Sequence, residues 1–474
     1  MSDQANGLPW RERLDLLGRR FFEVSELLRL GFLDLQQFPT QEQQSILKQT
    51  RELEGELLRV RKELARTRKQ IAWAGDVDRM LKEIRATRIV RVRAIREMRK
   101  EERVIELATR RAVRAQVVRS HPPYLGRRVS SQLDYSGTDF EALKRQGLPE
   151  IEDVVALAEA IGLSPEDITW LAFDADVTNP EADHYWRFQI PKRAGGSRSI
   201  SAPKGKTRRA QLWIKESILE KLTPAPAAMA FRPGLSILDN AQRHADSELV
   251  VRLDVKDFFP SITFPRVRGW FRQLGYSPGM ASVFALIVTD RDRRTLTLEG
   301  VTRSVALGER ALPQGACTSP GLANLVMRSF DRRVTAWSSN RNWTYTRYAD
   351  DLVFSSRDES ADVGQLIGFV TRMLDEESFR VNAKKTAVMR GYSRKTVTGL
   401  VLGNEGEVRL RRDYRRKVRA MLHRCETLGL NVVSEQDGRD ALAVARGHIA
   451  FVRMISPQEA AAWELRYPWL VQPS

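Results

Sequence analysis

Two adjacent carboxylates, Asp350 and Asp351, are the residues of this 474-residue chain whose type and spacing most clearly suggest chemistry. The segments on either side, 344–347 and 352–354, have the composition of strands, so the pair is predicted to lie at a hairpin turn. Carboxylates at such a turn can hold two divalent ions about 3.5–4 Å apart, which neutralise the attacking and leaving oxygens of a phosphoryl transfer. Turns also favour aspartate for structural reasons, so the pair alone is a weak indication.

A third carboxylate, Asp254, is predicted at the end of a buried strand. Residues 250–255 are mostly apolar, as expected of a strand covered on both faces, and residues 256–260 turn the chain away. Such a strand would place Asp254 at its C-terminal edge, facing the carboxylates of the hairpin on a neighbouring strand. A strand-capping aspartate is the structural alternative, but it leaves the segment 257–260 unexplained.

The segment 312–320 is predicted to be a loop in front of a helix over 321–330, because it combines proline, glycine and small hydroxyl residues. In this loop Gln314 offers an amide to a sugar or a base, and Gly315 lets a substrate approach the backbone closely. Taken alone, the pattern indicates only a loop before a helix.

A basic hairpin is predicted for residues 188–200, whose composition indicates a strand, a glycine turn and a second strand. It carries Lys192, Arg193 and Arg198. Over a site with two metal ions, these charges would hold a triphosphate or a template backbone. The alternative is an ordinary solvated surface.

The charge balance indicates a polyanionic partner, since the net charge is +18 and the pI is about 10.1. A membrane surface is the competing partner, but no apolar run reaches the length of about 18 residues that a spanning helix needs. The N-terminus lacks the apolar segment of a signal peptide. We therefore expect a soluble cytoplasmic protein that binds nucleic acid. Cys317 and Cys425 form no Cys-x-x-Cys pair, so neither a zinc site nor a disulfide framework is expected.

Residues 1–125 are predicted to form a basic helical region. Apolar residues recur at helical spacing on two segments that Gly75 and Asp76 separate, so an antiparallel helical hairpin is expected. The first apolar set is Leu53, Leu57, Val60, Leu64 and Ile71, and the second is Val77, Leu81, Ile84, Ile95, Met98 and Ile105. The outer face of the second helix carries Arg88, Arg91, Arg93, Arg96, Arg99 and Lys100. These charges either solvate the helix or contact a phosphate backbone, and both interpretations stay open.

The rest of the chain is expected to divide into three parts. A small helical lead-in spans 126–180, with helices predicted at 151–161 and after Ser164, which begins a capping pattern. Strands and helices alternate over 181–405, and basic helices follow over 406–474.

The order of these segments resembles that of reverse transcriptases over about residues 185–410, where 379–382, 384–386 and 397–401 also match. Within that family the chain is most similar to the retron group of bacteria. Asn240, Ala241 and His244 match the retron Asn-Ala-x-x-His motif, and residues 397–399 match the retron Val-Thr-Gly motif. Cys317 stands where many relatives carry proline, a departure that we expect to leave the chemistry intact.

The resemblance implies an α+β right-hand polymerase with fingers and palm over 181–405 and a helical thumb over 406–474. The N-terminal all-α helical hairpin predicted above is an addition to that shared core. It implies RNA-directed DNA synthesis, with Asp254, Asp350 and Asp351 as catalytic residues. These carboxylates and the backbone carbonyl of Val255 would hold two Mg²⁺ ions, for which Mn²⁺ is a substitute.

Further roles are implied for residues around these carboxylates. Phe259 would exclude ribonucleotides by colliding with a 2′-hydroxyl, although Phe258 could instead be the ring that points inward. Either Lys385 or Lys384 would donate a proton to pyrophosphate. The full set expected to bind the nucleotide is Phe259, Gln314, Gly315, Arg198, Lys192 and Lys385. The set expected to bind RNA or primer is Asn240, His244, Val397, Thr398, Gly399, Arg415 and Arg416.

The retron resemblance also implies partners. The template would be a cognate structured non-coding RNA, primed from an internal 2′-hydroxyl and copied from dNTPs into a branched, RNA-linked single-stranded DNA (msDNA). A host RNase H would remove the template from the RNA–DNA hybrid, and an effector protein is expected in anti-phage defence. The alternatives are a group II intron-like reverse transcriptase, a non-catalytic RNA-binding scaffold of the same fold, and untemplated nucleotide addition.

Overall fold

The computed structural model describes residues 41–71, 77–120, 124–126, 133–191, 195–391, 393–403 and 406–471, with scattered positions between 10 and 30. The chain divides into two compact units, Met1–His121 and Pro122–Ser474. In the described ranges no helix is long and apolar enough to cross a membrane.

The N-terminal unit contains two long helices, α1 (Gln41–Ile71) and α2 (Val77–Ser120). The Arg91 guanidinium of α2 donates a hydrogen bond of 2.9 Å to the Leu57 carbonyl of α1. Leu57 lies as far before the end of α1 as Arg91 lies beyond the start of α2, as in an antiparallel pair. Arg91 therefore belongs to the contact between the helices and not to the outer basic face on which it was predicted.

The second unit begins with the short helices α3 (Phe140–Arg145), α4 (Val154–Ile161) and α5 (Pro165–Leu171). The predicted cap of α5 is a reciprocal capping box: Ser164 Oγ accepts from the Asp167 amide at 3.2 Å, and the Asp167 carboxylate accepts from the Ser164 amide at 3.4 Å. These two bonds satisfy amides that the first turn of a helix leaves without partners.

A hairpin and a three-stranded sheet follow, with all their strands except the first in the segment 181–405 expected to form the fingers and palm. The hairpin pairs β2 (Tyr185–Pro191) with β3 (Ser197–Pro203), and the sheet has the order β1 (Val177–Thr178), β6 (Val301–Ala311), β5 (Asp290–Leu298). Helices α6 (Gly205–Ser217), α7 (Ile237–Gln242), α8 (Phe264–Leu274) and α9 (Pro278–Val288) lie between these strands in the sequence.

The palm sheet is antiparallel and has the order β7 (Thr344–Tyr348), β8 (Asp351–Ser356), β4 (Leu249–Asp254), β9 (Ala387–Arg390). Strand β4 is buried almost throughout, which explains its continuous apolar run. Helices α10 (Ser319–Val326), α11 (Arg328–Ser339) and α12 (Val363–Glu376) complete this part. The single helix predicted over 321–330 is wrong, because the chain breaks at Met327 into α10 and α11.

The C-terminal part joins a small sheet to four helices. The sheet has the order β10 (Thr396–Val397), β11 (Leu400–Leu402), β12 (Val408–Arg409). The helices are α13 (Arg412–Leu428), α14 (Leu430–Asp437), α15 (Ala441–Ile455) and α16 (Pro457–Arg466). One hydrophobic core contains Val250 and Val353 of the palm sheet together with Val418 and Ile449 of these helices. The helices are therefore fixed against the sheet that carries the aspartates. The predicted mixture of helices and strands with added N-terminal helices is confirmed, while the domain boundaries at 180 and 405 stay predictions.

Candidate active site

The structure brings the three predicted carboxylates together at one end of the central strands of the palm sheet. Asp254 ends β4 and lies directly opposite Asp351, the first residue of β8. Asp350 lies in the two-residue turn between β7 and β8. The Val255 amide donates a hydrogen bond of 2.9 Å to the Asp350 carbonyl, which ties this turn to the end of β4.

The turn itself has an unfavourable backbone conformation. Ala349 has a φ of 57°, in the left-handed region that residues other than glycine seldom adopt. Arg347 holds this turn from behind, because its guanidinium donates to the Ala349 carbonyl at 3.3 Å.

Arg347 belongs to a buried polar network that the sequence analysis missed. Its guanidinium donates two hydrogen bonds to the Asp331 carboxylate, at 2.9 and 2.7 Å, and one to the Asn324 amide oxygen at 3.1 Å. The Tyr345 hydroxyl donates to the same Asp331 carboxylate at 2.9 Å. Both charged side chains are fully buried. The sequence did carry one signal for this network: Tyr345 and Arg347 are alternate residues of β7, and alternate residues of a strand share one face.

Burial and mutual repulsion make the carboxylates hard to ionise together. Burial raises the pKa of Asp351 to about 6, and the charges of Asp350 and Asp254 add to that rise while Arg252 opposes it. Burial also raises the pKa of Asp350, and Asp254 adds to the rise. Such a cluster favours cations nearby.

Two side chains orient the Asp254 carboxylate. The Asn382 amide donates to Oδ1 at 2.9 Å and the Lys385 ammonium donates to Oδ2 at 2.7 Å. This hydrogen bond raises the pKa of Lys385 and keeps it protonated. Lys384 and Lys385 are both exposed, but Lys385 is the one whose ammonium contacts Asp254, so the geometry favours Lys385 of the two lysines considered as proton donor.

The donor set fits a divalent cation whose coordination the substrate completes. In the described ranges no three side chains of His, Cys, Asp or Glu are arranged to chelate one ion by themselves. Magnesium in nucleotide-transferring sites is typically held by one or two carboxylates plus substrate phosphates. The three aspartates at this end of the sheet could supply one or two carboxylates to such an ion.

The two phenylalanines after Asp254 take different positions. Phe258 is buried, with its ring centroid 6.0 Å from that of Phe379. Phe259 is only partly buried and lies 6.4 Å from the exposed ring of Phe231. Phe259 is therefore the ring available to a nucleotide, as the resemblance implied, and its selective role stays a prediction.

The Gln314 loop packs against the fingers hairpin. The Gln314 carbonyl accepts from the Ser201 amide at 2.7 Å, and Gln314 lines a cleft of about 420 Å³ together with Arg198 and Asp257. Gly315 has a φ of 109°, and a Cβ there would lie 2.8 Å from Ile200 Cγ2. A glycine is therefore required here because β3 packs closely against it, whereas the sequence analysis expected a substrate to approach the backbone at this position. Lys192 and Arg193 lie outside the described residues.

Comparisons with known proteins show the family to which the chain belongs. The pattern of the family "Reverse transcriptase (RNA-dependent DNA polymerase)" matches residues 190–432. The retron Mx162 reverse transcriptase of Myxococcus xanthus is 36% identical over 77% of this chain and 78% of that protein. The retron Ec86 reverse transcriptase of Escherichia coli is 31% identical over 59% of this chain and 80% of that protein. This chain belongs to the retron reverse transcriptases. As a member of that family, it is an RNA-directed DNA polymerase.

Solved structures share only a loose likeness with this reverse transcriptase. Apo telomerase from Candida tropicalis aligns with a TM-score of 0.38 and 12% identity over 60% of this chain and 57% of that chain. Telomerase from Candida albicans in complex with a telomeric RNA fragment aligns with a TM-score of 0.35 and 11% identity over half of each chain.

The retron motif residues Asn240 and His244 are buried in this reverse transcriptase. His244 bridges two palm strands, with Nδ1 2.7 Å from Ser355 Oγ and Nε2 2.7 Å from Thr346 Oγ1. Burial, together with the charge of Arg243, lowers the pKa of His244 to about 3. The predicted direct contact of Asn240 and His244 with RNA is corrected, because interior side chains cannot reach RNA in this conformation.

The second retron motif lies on the hairpin between β10 and β11. Val397 is buried in the core, so its predicted contact with RNA is also corrected. Thr398 and Gly399 form the turn, with φ values of 47° and 85°, and Thr398 Oγ1 donates to the Ile237 carbonyl of α7 at 3.1 Å. The two retron motifs therefore pack on each other, since Ala241 and Val397 belong to one hydrophobic core. Gln242 and Arg243 of the first motif and Gly399 of the second are exposed.

The two thumb arginines of this reverse transcriptase differ. Arg415 is engaged by Glu459 of α16 at 2.7 Å, so its predicted availability for RNA is reduced by an internal partner. Arg416 is exposed on α13 and remains a candidate for backbone contact.

Proposed function

We propose that this reverse transcriptase copies a cognate structured non-coding RNA into a branched, RNA-linked single-stranded DNA, primed from an internal 2′-hydroxyl of that RNA. The observation that carries the catalytic part is the pairing of Asp254 with Asp351 beside the Asp350 turn. The retron relatives and the two packed motifs support the retron product.

In this proposal Asp254, Asp350, Asp351 and the Val255 carbonyl hold two Mg²⁺ ions. When bound, the ions supply neutralisation of the attacking hydroxyl and of the leaving pyrophosphate. Asn382 keeps the Asp254 carboxylate oriented, because its side-chain amide donates a hydrogen bond to one carboxylate oxygen. Its backbone amide also donates to the Asp254 carbonyl at 2.7 Å. Lys385 is protonated beside the same carboxylate and is placed to donate a proton to pyrophosphate.

The remaining residues select and hold substrates. Phe259 lies under the sugar of the incoming dNTP and disfavours a 2′-hydroxyl. Gln314 and Arg198 contact that nucleotide or the template from the cleft they share. The Thr398–Gly399 turn, which is exposed at Gly399, and the exposed Arg416 contact RNA or the RNA–DNA hybrid.

The product would serve anti-phage defence with an effector protein, and a host RNase H would remove the copied template. The charge of +18 supports a nucleic-acid partner for the chain as a whole.

The test is expression of the gene with its native flanking DNA, followed by probing total nucleic acid for short DNA joined to RNA. The matched control is the Asp350→Ala, Asp351→Ala double variant. We expect a debranching-sensitive species only with the intact carboxylates. Absence of that species, while purified protein extends a supplied primer on RNA, would refute the retron product but keep the polymerase. Failure of both would refute the catalytic assignment.

A further inference from the structure

Helix α2 carries a line of arginines beside its contact with α1. Arg91 marks that contact, because its guanidinium donates to the Leu57 carbonyl. An α-helix turns about 100° per residue, so the flanks of α2 can be counted from Arg91. Five arginines then fall within an arc of about 80° on one flank, namely Arg85, Arg88, Arg96, Arg99 and Arg103. All are exposed, and among the described residues none of them has an ion-pair or hydrogen-bond partner. We call these residues the arginine ridge.

Carboxylates of α2 lie away from the arginine ridge. Between positions 85 and 103 no Asp or Glu falls within its arc. Glu83, Glu97 and Glu101 are exposed on the opposite flank of the helix. The two signs of charge are therefore separated around α2 and not interspersed.

Helix α1 shows the same separation about its own contact residue, Leu57. In an antiparallel pair, flanks reached by the same sense of rotation from the contact lie on the same face of the pair. On the face of the arginine ridge α1 places exposed cations, namely Arg61, Lys62, Arg68 and Lys69. On the other face it places exposed carboxylates, namely Glu52, Glu56 and Glu63. The helical pair thus has one basic face and one acidic face.

This separation decides between the two interpretations of the basic residues. A helix that charges merely solvate carries both signs along one face, where they form ion pairs. Arg99 and Arg103 are instead like charges four residues apart, a spacing that destabilises a helix. An anion bound along the ridge removes that repulsion, so the basic face favours a polyanionic partner.

The composition of the ridge selects the kind of polyanion. Arginine forks match phosphate oxygens, and the line from Arg85 to Arg103 is straight and about 27 Å long. Neither α1 nor α2 contains an aromatic residue, so no ring is present on which unpaired bases could stack. Leu81 and Val92 lie among the arginines and form no separate apolar flank for a bilayer. A base-paired RNA stem, which proteins recognise by its shape and phosphates, fits this surface best.

We propose that the arginine ridge docks a base-paired stem of the folded RNA through its phosphates, independently of sequence. This rests on the proposed copying of a structured RNA and assigns that RNA a second binding surface. The surface lies outside residues 190–432, which match the reverse transcriptase family. The palm carboxylates take no part in the contact.

The test measures the affinity of the full chain for an RNA duplex of about 16 base pairs, with an unpaired RNA of equal length for comparison. The variant removes three cations of the ridge: Arg88→Gln, Arg99→Gln and Arg103→Gln. The matched control removes three exposed cations of the same two helices that lie off the basic face: Arg59→Gln, Arg66→Gln and Arg93→Gln. Both triple variants lower the net charge equally, and glutamine keeps a high helix propensity. Circular dichroism checks that the helices remain folded.

We expect the ridge variant to bind the duplex about tenfold or more weakly than the control variant. The slope of log affinity against log salt should also fall by about three, since each lost phosphate contact removes about one unit. Affinity for the unpaired RNA should fall less.

Crosslinking locates the contact on the helix. Val92 lies on the flank of the ridge and Val90 on the acidic flank, and both are exposed. A photoreactive side chain in Val92→p-benzoylphenylalanine should crosslink to the duplex, whereas the same replacement of Val90 should not.

Equal duplex affinity in the two triple variants, or equal crosslinking from both positions, would overturn the proposal. An equal loss for unpaired RNA and duplex would overturn the assignment to a base-paired stem. Loss of binding to vesicles of anionic phospholipid, with duplex binding kept, would show that the ridge meets a membrane instead. Primer extension on an unstructured template tests the proposed polymerase separately, and the ridge variant should keep the wild-type rate.

Discussion

The buried pair of Arg347 and Asp331 gives the sharpest prediction about how the catalytic turn is held. Arg347→Met keeps most of the side-chain volume but leaves the Asp331 carboxylate buried without its cation. Breaking a buried pair by removing one partner costs about 3–5 kcal/mol. Both side chains are fully buried, so solvent does not screen the pair. Because domains are stable by only about 5–15 kcal/mol, the free energy of unfolding should fall by a large fraction.

The double variant Arg347→Met, Asp331→Leu separates folding from positioning. Replacing both charges with apolar groups should restore at least about 2 kcal/mol of the loss. Recovery should be incomplete, since the Tyr345 hydroxyl and the Asn324 amide lose their partners. The Ala349 carbonyl also loses its charged donor, a hydrogen bond that contributes about 1.5–3 kcal/mol. Primer extension should therefore stay at least about tenfold below the wild type in the refolded double variant.

Urea unfolding measures the first quantity, and primer extension at a temperature where every variant is folded measures the second. The matched control is Arg333→Met on α11, the helix that also carries Asp331. The partner of Arg333, Glu376, is nearly half exposed, so losing this pair should cost less than about 1 kcal/mol. A cost for Arg347→Met as small as that of the control would refute the account of the buried pair. A double variant with full activity would refute the positioning role.

Three further predictions follow from the site. In metal-free buffer, the free energy of unfolding should rise as the pH falls from about 6 toward 4, because the pKa of Asp351 is raised to about 6 in the folded state, which therefore takes up the proton first. Urea unfolding at several pH values measures this trend, and Asp351→Asn should weaken it. An identical trend in Asp351→Asn would contradict the raised pKa. Phe259→Val should raise the ratio of ribonucleotide to deoxynucleotide incorporation, whereas the buried control Phe258→Leu should lower stability without changing that ratio; an unchanged ratio for Phe259→Val would count against a sugar gate. Gly315→Ala should destabilise the protein by about 1–3 kcal/mol and slow primer extension. The control Gly300→Ala, at a φ of 77° with open space around it, measures the cost of backbone strain alone. An equal loss of stability in the two variants would argue against the contact of Gly315 with β3.

Much of the catalytic edge could be predicted from the sequence because its signals are local. The apolar run that ends at Asp254 and the short turn at Asp350 each specify their own secondary structure. The order of the segments along the chain then indicates the family. Helical spacing and the Gly75 break likewise predict the two N-terminal helices.

Residues with the right type but the wrong partner show where sequence reasoning ends. His244 and Asn240 match a motif, yet whether a matching side chain faces RNA or the core depends on how α7 packs against the palm sheet. Arg415 is basic and lies at the expected place, but it forms an ion pair with Glu459 on α16. Neither contact follows from local composition.

The sequence by itself determined the carboxylates, their order and the strands that carry them, because hydrophobic period and turn residues act over a few neighbouring positions. Only the tertiary structure decided that Arg347 holds the catalytic turn through Asp331, that Gly315 makes room for β3, and that Arg91 lies in the contact between α1 and α2. Each depends on a partner far away in the chain or on which face becomes covered, and burial is a property of the packed molecule.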